Sequence, residues 1–257
     1  WRYNRRNHRK LLVVDSTCAY VGGFNIHKEN SRALYGDTRW RDTHVGFGGE
    51  LAHQATQLFD RFWVGRKRRP VLQATQGGSM LLSNYSRGGR RYLNGSFADM
   101  MSHAKHSIFL TTPYFVPDRR TQRLLSEAAR RGVDVRVLVP RKHDVRLAQW
   151  AAHAAYETLL ENGVRIFEYL PRLLHSKTAV VDGNHATIGT SNMDYRSVFL
   201  NYELNLFTRD SALCGQLRPV FLEDLQRSEE ILVETWRTRF WGRKLLELVG
   251  WLARRLL

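Results

Sequence analysis

Two histidines, each followed by a lysine two residues on and an aspartate seven residues on, are the groups here best suited to making and breaking bonds: His8, Lys10, Asp15 and His175, Lys177, Asp182. The 167-residue offset that carries His8 to His175 also carries Val13 to Val180, Val14 to Val181, Gly22 to Gly189 and Asn25 to Asn192. A long-period duplication that keeps polar as well as apolar residues in register argues for two lobes sharing one site. Two imidazoles brought together supply what phosphodiester chemistry needs, since one attacks phosphorus while the other protonates the departing oxygen. Lys10 and Lys177 set fixed positive charge against the non-bridging oxygens, and Asn25 and Asn192 add amide donors. Lysine stands where a metal would otherwise act. A two-metal phosphoesterase would bring more carboxylates to its histidines, and ammonium groups beside those histidines repel a divalent ion. Neither metal nor other cofactor is expected, and activity should survive a chelator.

An attacking imidazole needs a partner on its other ring nitrogen to fix the tautomer. Asp42 and Glu203, which begin equivalent strands after the two cassettes, are read as these orienting groups. Pairing within each lobe is the expectation, His8 with Asp42 and His175 with Glu203. It requires a six-residue insertion in the first lobe, placed near Ala33–Asp37, because the separations are 34 and 28 residues. Asp15 and Asp182 belong to the repeated cassette and are candidate catalytic residues, but their odd spacing from the lysines puts them across the strand and also suits a structural tie from strand to turn.

The elements that must position these groups follow from pattern. Ser107–Thr112, Val133–Val139, Val164–Glu168, Ser176–Val181 and Ala186–Gly189 read as strands, and Pro117–Arg131 and Asp144–Asn162 as helices stopped by Gly132 and Gly163. Each cassette is followed by a strand (Thr43–Phe47; Tyr202–Thr208) and a helix (Glu50–Trp63; Ser211–Leu225). Such βαβα order predicts an α/β fold of two pseudo-symmetric sandwich lobes with mixed sheets, the first lobe incomplete. Only seven residues precede the first cassette while a full strand-helix-strand-helix-strand run precedes the second, so the chain is expected to be an N-terminally truncated fragment. The domain reading is residues 1–64 for the end of the first lobe, 65–95 for a basic Gly-, Ser- and Arg-rich linker or loop, 96–235 for the second lobe and 236–257 for a C-terminal helix.

At 257 residues and 43% hydrophobic content the chain can build a sizeable core. Its 40 Lys and Arg against 24 Asp and Glu give +16, which points to an anionic substrate or partner: lipid surface, nucleic acid or another phosphate ester. Cys18 and Cys214 form no metal or disulfide pattern. No run approaches the ~18 apolar residues of a membrane-spanning helix.

With these motifs assembled, the chain resembles the phospholipase D superfamily, whose duplicated H-x-K-x4-D signature is followed by G-x-x-N, as in Gly22-Gly23-Phe24-Asn25 and Gly189-Thr190-Ser191-Asn192. TTPYFVPD at 111–118, PRLLHSKTAVVDG at 171–183, GTSNMDYRS at 189–197 and NYELN at 201–205 are similar to bacterial cardiolipin synthases of the shorter type without transmembrane helices. The resemblance implies metal-free phosphatidyl transfer through a phosphohistidine, in which one phosphatidylglycerol donates to a second and glycerol leaves. It implies His8 as nucleophile and His175 as general acid then base, with the reverse assignment open. Asn25, Asn192 and Ser191 become substrate-binding, and the enzyme sits peripherally on the cytoplasmic side of the bacterial inner membrane.

The C-terminal segment adds a stripe of Trp241, Leu245, Leu248, Val249, Leu252 and Leu256 flanked by Arg237, Arg239, Arg243, Lys244, Arg254 and Arg255. A basic amphipathic helix of this kind lies in the headgroup layer of an anionic bilayer, or docks on the core. Two rivals share the other features. A nuclease could use the same histidines and charge, although no aromatic stacking platform interleaves the basic residues. A membrane-binding module without catalysis would bind vesicles without turnover. The duplication removes any need for a homodimer to complete the site.

Overall fold

The computed structural model describes residues 5–65, 74–240 and 242–253. The run from Arg66 to Pro70, and Trp241, Arg254, Arg255 and Leu256, lie outside the described residues, as does the side chain of Arg243. The first cassette forms β1 (Leu11–Val14) and β2 (Cys18–Gly22), which with β3 (His44–Gly48) make an antiparallel sheet in the order β1-β2-β3. Between β2 and β3 lie short helical turns, including α1 (Arg32–Tyr35), where the inserted residues of the first lobe were expected. Helix α2 (Gly49–Trp63) closes this lobe with Ala52, Ala55 and Leu58 turned inward.

The second lobe is an eight-stranded mixed sheet. In chain order it comprises β4 (Met80–Ser83), α3 (Arg87–Ser102), β5 (Ser107–Thr111), α4 (Arg119–Arg130), β6 (Asp134–Pro140), α5 (Arg146–Glu161), β7 (Arg165–Tyr169), β8 (Thr178–Val181), β9 (His185–Gly189), β10 (Leu204–Thr208), α6 (Ser211–Gln226), β11 (Ser228–Ile231), α7 (Val233–Arg237) and α8 (Gly242–Ala253). The sheet order is β11-β7-β6-β5-β8-β9-β10-β4, with β5, β6 and β7 parallel and the others antiparallel. Strands β8 and β9 stand at the 167-residue offset from β1 and β2, so the repeat is structural as well as sequential. Central strands covered on both faces read as continuous apolar runs. In β6, Val135, Val137 and Val139 face a core built with α4 and α5, while Leu138 meets Phe109, Phe167 and Phe221 beneath α6.

Residues 65–95 are not a linker throughout. Leu81 and Leu82 are buried in β4, which pairs with β10 at the sheet edge, and α3 starts at Arg87 with Ser86 Oγ capping Gly89 N at 3.0 Å. Gly89 is required there, because a Cβ would lie 2.4 Å from the Ser83 carbonyl oxygen. Leu81, Leu204 and Leu206 of the large sheet share a core with Ala19 and Val21 of β2 and with α2. At about 1.5–3 kcal/mol per buried leucine, that shared core fixes one lobe against the other.

Helix α8 is docked, yet not by its apolar stripe. Glu247 is buried against Arg239, with Nε to Oε1 at 3.0 Å and Nη2 to Oε2 at 2.7 Å, and a Cβ on Gly250 would lie 2.4 Å from Ala151 N of α5. Leu245, Leu248, Val249 and Leu252 are 58%, 51%, 45% and 64% exposed. No helix among the described residues is long and apolar enough to cross a membrane.

Candidate active site

The site is made where the two lobes exchange backbone bridges. Tyr202 N donates to Arg6 O at 2.9 Å and His8 N to Tyr202 O at 2.9 Å. In the mirror arrangement Arg41 N donates to Leu173 O at 2.8 Å and His175 N to Arg41 O at 2.7 Å. The segment entering each histidine therefore runs parallel to the residue preceding the other lobe's carboxylate. Arg41 strengthens the crossing by pairing with Asp224 of α6, Nε to Oδ1 at 2.9 Å.

The histidines are accordingly oriented across the lobes. His8 Nδ1 lies 2.9 Å from Glu203 Oε2, and His175 Nδ1 lies 2.7 Å from Asp42 Oδ2. This corrects the expectation of pairing within each lobe: Asp42 and Glu203 each hydrogen-bond the histidine of the opposite cassette. A carboxylate on Nδ1 keeps the proton there and leaves the Nε2 lone pair free to attack or accept. Both carboxylates are buried and fully engaged. Glu203 also accepts from Ser197 Oγ at 2.9 Å and from Thr190 Oγ1, and Asp42 Oδ1 accepts from Thr43 N at 2.8 Å. Gly23 stands at the repeat position of Thr190, and a Cβ there would lie 2.0 Å from Asp42 Oδ1, so the shorter acid of the first lobe is admitted by a missing side chain.

Each lysine folds back on its own histidine, Lys10 Nζ donating to His8 O at 2.8 Å and Lys177 Nζ to His175 O. Burial drives Lys177 down to about 7 and Lys10 down to about 8, against the pull of Asp42 and Glu203. Burial and then Lys177 lower His175, outweighing the bond to Asp42. A cavity that depresses its own ammonium groups gains most when an anion enters.

The other residues fall into two groups. Asn192 and Ser191 are buried beside the site, Ser191 Oγ donating to Asn205 Oδ1 at 2.7 Å, whereas Asn25 is half-buried and its carbonyl accepts from Asn30 Nδ2 at 2.8 Å. The cassette aspartates stand apart from the histidines. Asp182, with φ of 53°, accepts from the backbone N–H groups of Lys105, His106 and Ser107 at 2.8–2.9 Å and ties the turn after β8 to the start of β5. Asp15 has the same left-handed backbone, φ 49°, and is exposed. The geometry fits the structural tie and brings neither aspartate to the reacting groups.

Sequence reasoning missed Asp194 and Trp40. Burial, with Glu203 adding to it, lifts the Asp194 carboxyl to about 6 against the bond from Ser197 N at 2.7 Å, the amide of Asn192 and the charge of His8. Its repeat counterpart is His27, so the duplication carries no signal for it; the one clue is a carboxylate within GTSNMDYRS. The Trp40 ring centroid lies 5.2 Å from that of His175. Among the described residues no group of three or more His, Cys, Asp or Glu is arranged to hold a metal ion.

A family model described as cardiolipin synthase, phospholipase D-like domain, matches residues 97–225, half of the chain. The chain belongs to that phospholipase D-like family. A curated cardiolipin synthase of Halalkalibacterium halodurans is 37% identical over 95% of this chain and 51% of its own length. A probable cardiolipin synthase of Bacillus subtilis is 34% identical over 90% of this chain and 48% of its own. The chain thus spans about half the length of the curated relatives it matches. In fold it is similar to the phosphatidylserine synthase of Haemophilus influenzae, with a TM-score of 0.64 and 15% identity over 98% of this chain and 71% of that one. The two-lobed architecture is that of the phospholipase D-like family.

Proposed function

We propose that this chain transfers a phosphatidyl group between two phosphatidylglycerol molecules through a phosphohistidine. The observation that carries the reading is the pair of histidines clamped at Nδ1 by buried carboxylates from opposite lobes, with Lys10 and Lys177 beside them. His8 Nε2 attacks phosphorus as the bond to the glycerol oxygen breaks, and His175 gives that oxygen its proton. His175 then takes the proton of the incoming hydroxyl as the oxygen–phosphorus bond forms and the nitrogen–phosphorus bond breaks. The repulsion from Lys177 that lowers His175 is offset once a phosphodiester charge lies against the lysines. Asn192 and Ser191 are the substrate-side polar groups, with Asn25 at the rim. The relatives' printed activity and the exposed apolar face of α8 favour a lipid over nucleic acid, and α8 brings the site to the surface of an anionic bilayer.

The test is mass spectrometry of products from phosphatidylglycerol vesicles with EDTA present. Cardiolipin and glycerol are expected, and loss of both in His8→Ala and His175→Ala. Phosphatidic acid alone, or cleavage of DNA with the lipid untouched, would reject transfer. For the membrane arm, Leu248→Asp with Leu252→Asp should lower vesicle flotation by about tenfold or more, since two leucines leave the bilayer. The melting temperature should stay unchanged because both side chains are exposed; undiminished flotation would remove α8 from the binding surface.

A further inference from the structure

Two side chains from the segment whose sequence reads as a linker reach the site from behind. Asn84, just past the end of β4, is fully buried, and both polar atoms of its side chain are engaged. Its Oδ1 accepts from Glu203 N at 2.6 Å, and its Nδ2 donates to Asn201 O at 2.9 Å and to Ser197 O at 3.3 Å. Its own backbone N donates to Glu203 O at 3.3 Å. One asparagine therefore holds the main chain on both sides of Tyr202, the residue whose carbonyl receives His8 N.

Arg90, in the first turn of α3, grips the same stretch of backbone. Its Nη1 donates to Val198 O at 3.1 Å, and its Nη2 to Leu200 O at 3.3 Å and Asn201 O at 3.2 Å. These carbonyls need donors from elsewhere, because Arg196–Leu200 is a single π-helical turn and a helix end leaves its last carbonyls without intrahelical partners. Ser197 of that turn donates from Oγ to Glu203 Oε1 at 2.9 Å, so holding the turn also holds the carboxylate. The first lobe is built differently. There Arg41 secures the equivalent backbone itself, donating from Nη1 to Asp42 O at 2.7 Å while its Nε holds Asp224. Tyr202 stands at the Arg41 position and turns its ring to edge contacts with Phe62 and Tyr85, which leaves the anchoring of the second carboxylate to Asn84 and Arg90.

We propose that Asn84 and Arg90 are positioning residues that clamp residues 197–203, so that Glu203 meets His8 Nδ1 and Tyr202 O meets His8 N. Together the two contacts fix the ring of His8 and its tautomer. Both side chains act through Glu203 and the backbone beside it, not on the phosphodiester. The inference rests on the phosphatidyl-transfer reading for the role of His8 as nucleophile and adds to it what holds that nucleophile in place.

Two readouts are taken on the full chain: nitrogen-15 spectra of the imidazoles without substrate, and steady-state turnover of phosphatidylglycerol vesicles. Asn84→Ala should bring the Nδ1 and Nε2 signals of His8 closer together as the tautomers mix, and leave those of His175 in place. It should lower kcat about a hundredfold with little change in KM. Arg90→Met keeps the apolar stem and removes three donors, so it should move His8 in the same direction by less. Leu125→Ala, in the core beneath α4, separates positioning from general loosening: it should lower the melting temperature while both imidazoles and kcat stay as they were. His8 signals unchanged in a folded Asn84→Ala variant would overturn the clamp, as would equal movement of His8 and His175, or the same movement of His8 in Leu125→Ala. Should Asn84→Ala not fold, unchanged His8 signals in Arg90→Met overturn it. If the unsubstituted chain converts no phosphatidylglycerol, the transfer reading fails separately, and the imidazole spectra alone decide the clamp.

Discussion

Asp42→Asn and Glu203→Gln look like equivalent substitutions, and the crossed pairing makes them unequal. Asp42 uses one oxygen for Thr43 N and the other for His175 Nδ1. Both partners are donors, and an asparagine has one oxygen to offer. If it keeps the backbone N–H, its amide faces Nδ1 and forces the proton of His175 onto Nε2, the wrong tautomer for a base. Loss of this kind costs roughly ten-thousandfold in turnover, equal to about 5.5 kcal/mol. Glu203 differs, because two of its partners are the hydroxyls of Ser197 and Thr190, which can turn to accept from a glutamine amide while its oxygen retains His8 Nδ1. Only the charge is lost, for an expected fall of about ten- to a hundredfold, or about 1.4–2.7 kcal/mol. Turnover gives the magnitudes. Nitrogen-15 spectra of the imidazoles give the wiring without any substrate. Asp42→Asn should move the Nδ1 signal of His175 and leave His8 in place, and Glu203→Gln should do the reverse. If Asp42→Asn instead moves His8, the crossed pairing is refuted; if the two variants lose equal activity, the tautomer argument fails.

Two further outcomes follow from the same site. Asp182→Asn should lower stability by about 1–2 kcal/mol, because its carboxylate holds three backbone N–H groups, while Asp15→Asn should stay within about 0.5 kcal/mol; equal shifts in thermal melts would contradict the assignment. Lys177 and Lys10 titrate near 7 and 8 in the folded chain and at 10.5 ordinarily, so the unfolded chain binds more protons over that window and their contribution to stability rises with pH across it. Tungstate, a dianion throughout this range, should bind with proton uptake at pH 8 and more weakly at pH 9 than at pH 7. Calorimetry in two buffers of different ionisation heat measures the uptake, and its absence would remove the lysines from the anion site.

Much of this arrangement was legible because a repeat preserves register. The strands and helices from β5 to α6 were readable from alternation, glycine stops and the 167-residue offset. Equivalence between positions is not proximity, however, and the offset identified Asp42 and Glu203 as counterparts without revealing that backbone bridges at Tyr202 and Arg41 would exchange them. Leu81 and Leu82 were obscured by the Gly, Ser and Arg residues around a four-residue strand, whose burial depends on β10 far along the chain. The periodicity of α8 gave a stripe but not its direction: Glu247 and Gly250 dock because Arg239 and the Ala151 backbone await them, which no helical spacing encodes. Asp194 escaped because it breaks the repeat.

The crossed bridges are the geometry that a two-fold pair of identical subunits would form, each completing the other's histidine. Held in one polypeptide, that symmetry no longer forces a change in one half to appear in the other. Arg9 can therefore stand opposite Ser176, Gly23 opposite Thr190, and a short acid opposite a long one, each matched to its local surroundings. The two halves have room to specialise, one histidine buried beside a lysine that burial lowers to about 7 and the other more open to solvent, while the backbone bridges hold both between the lobes.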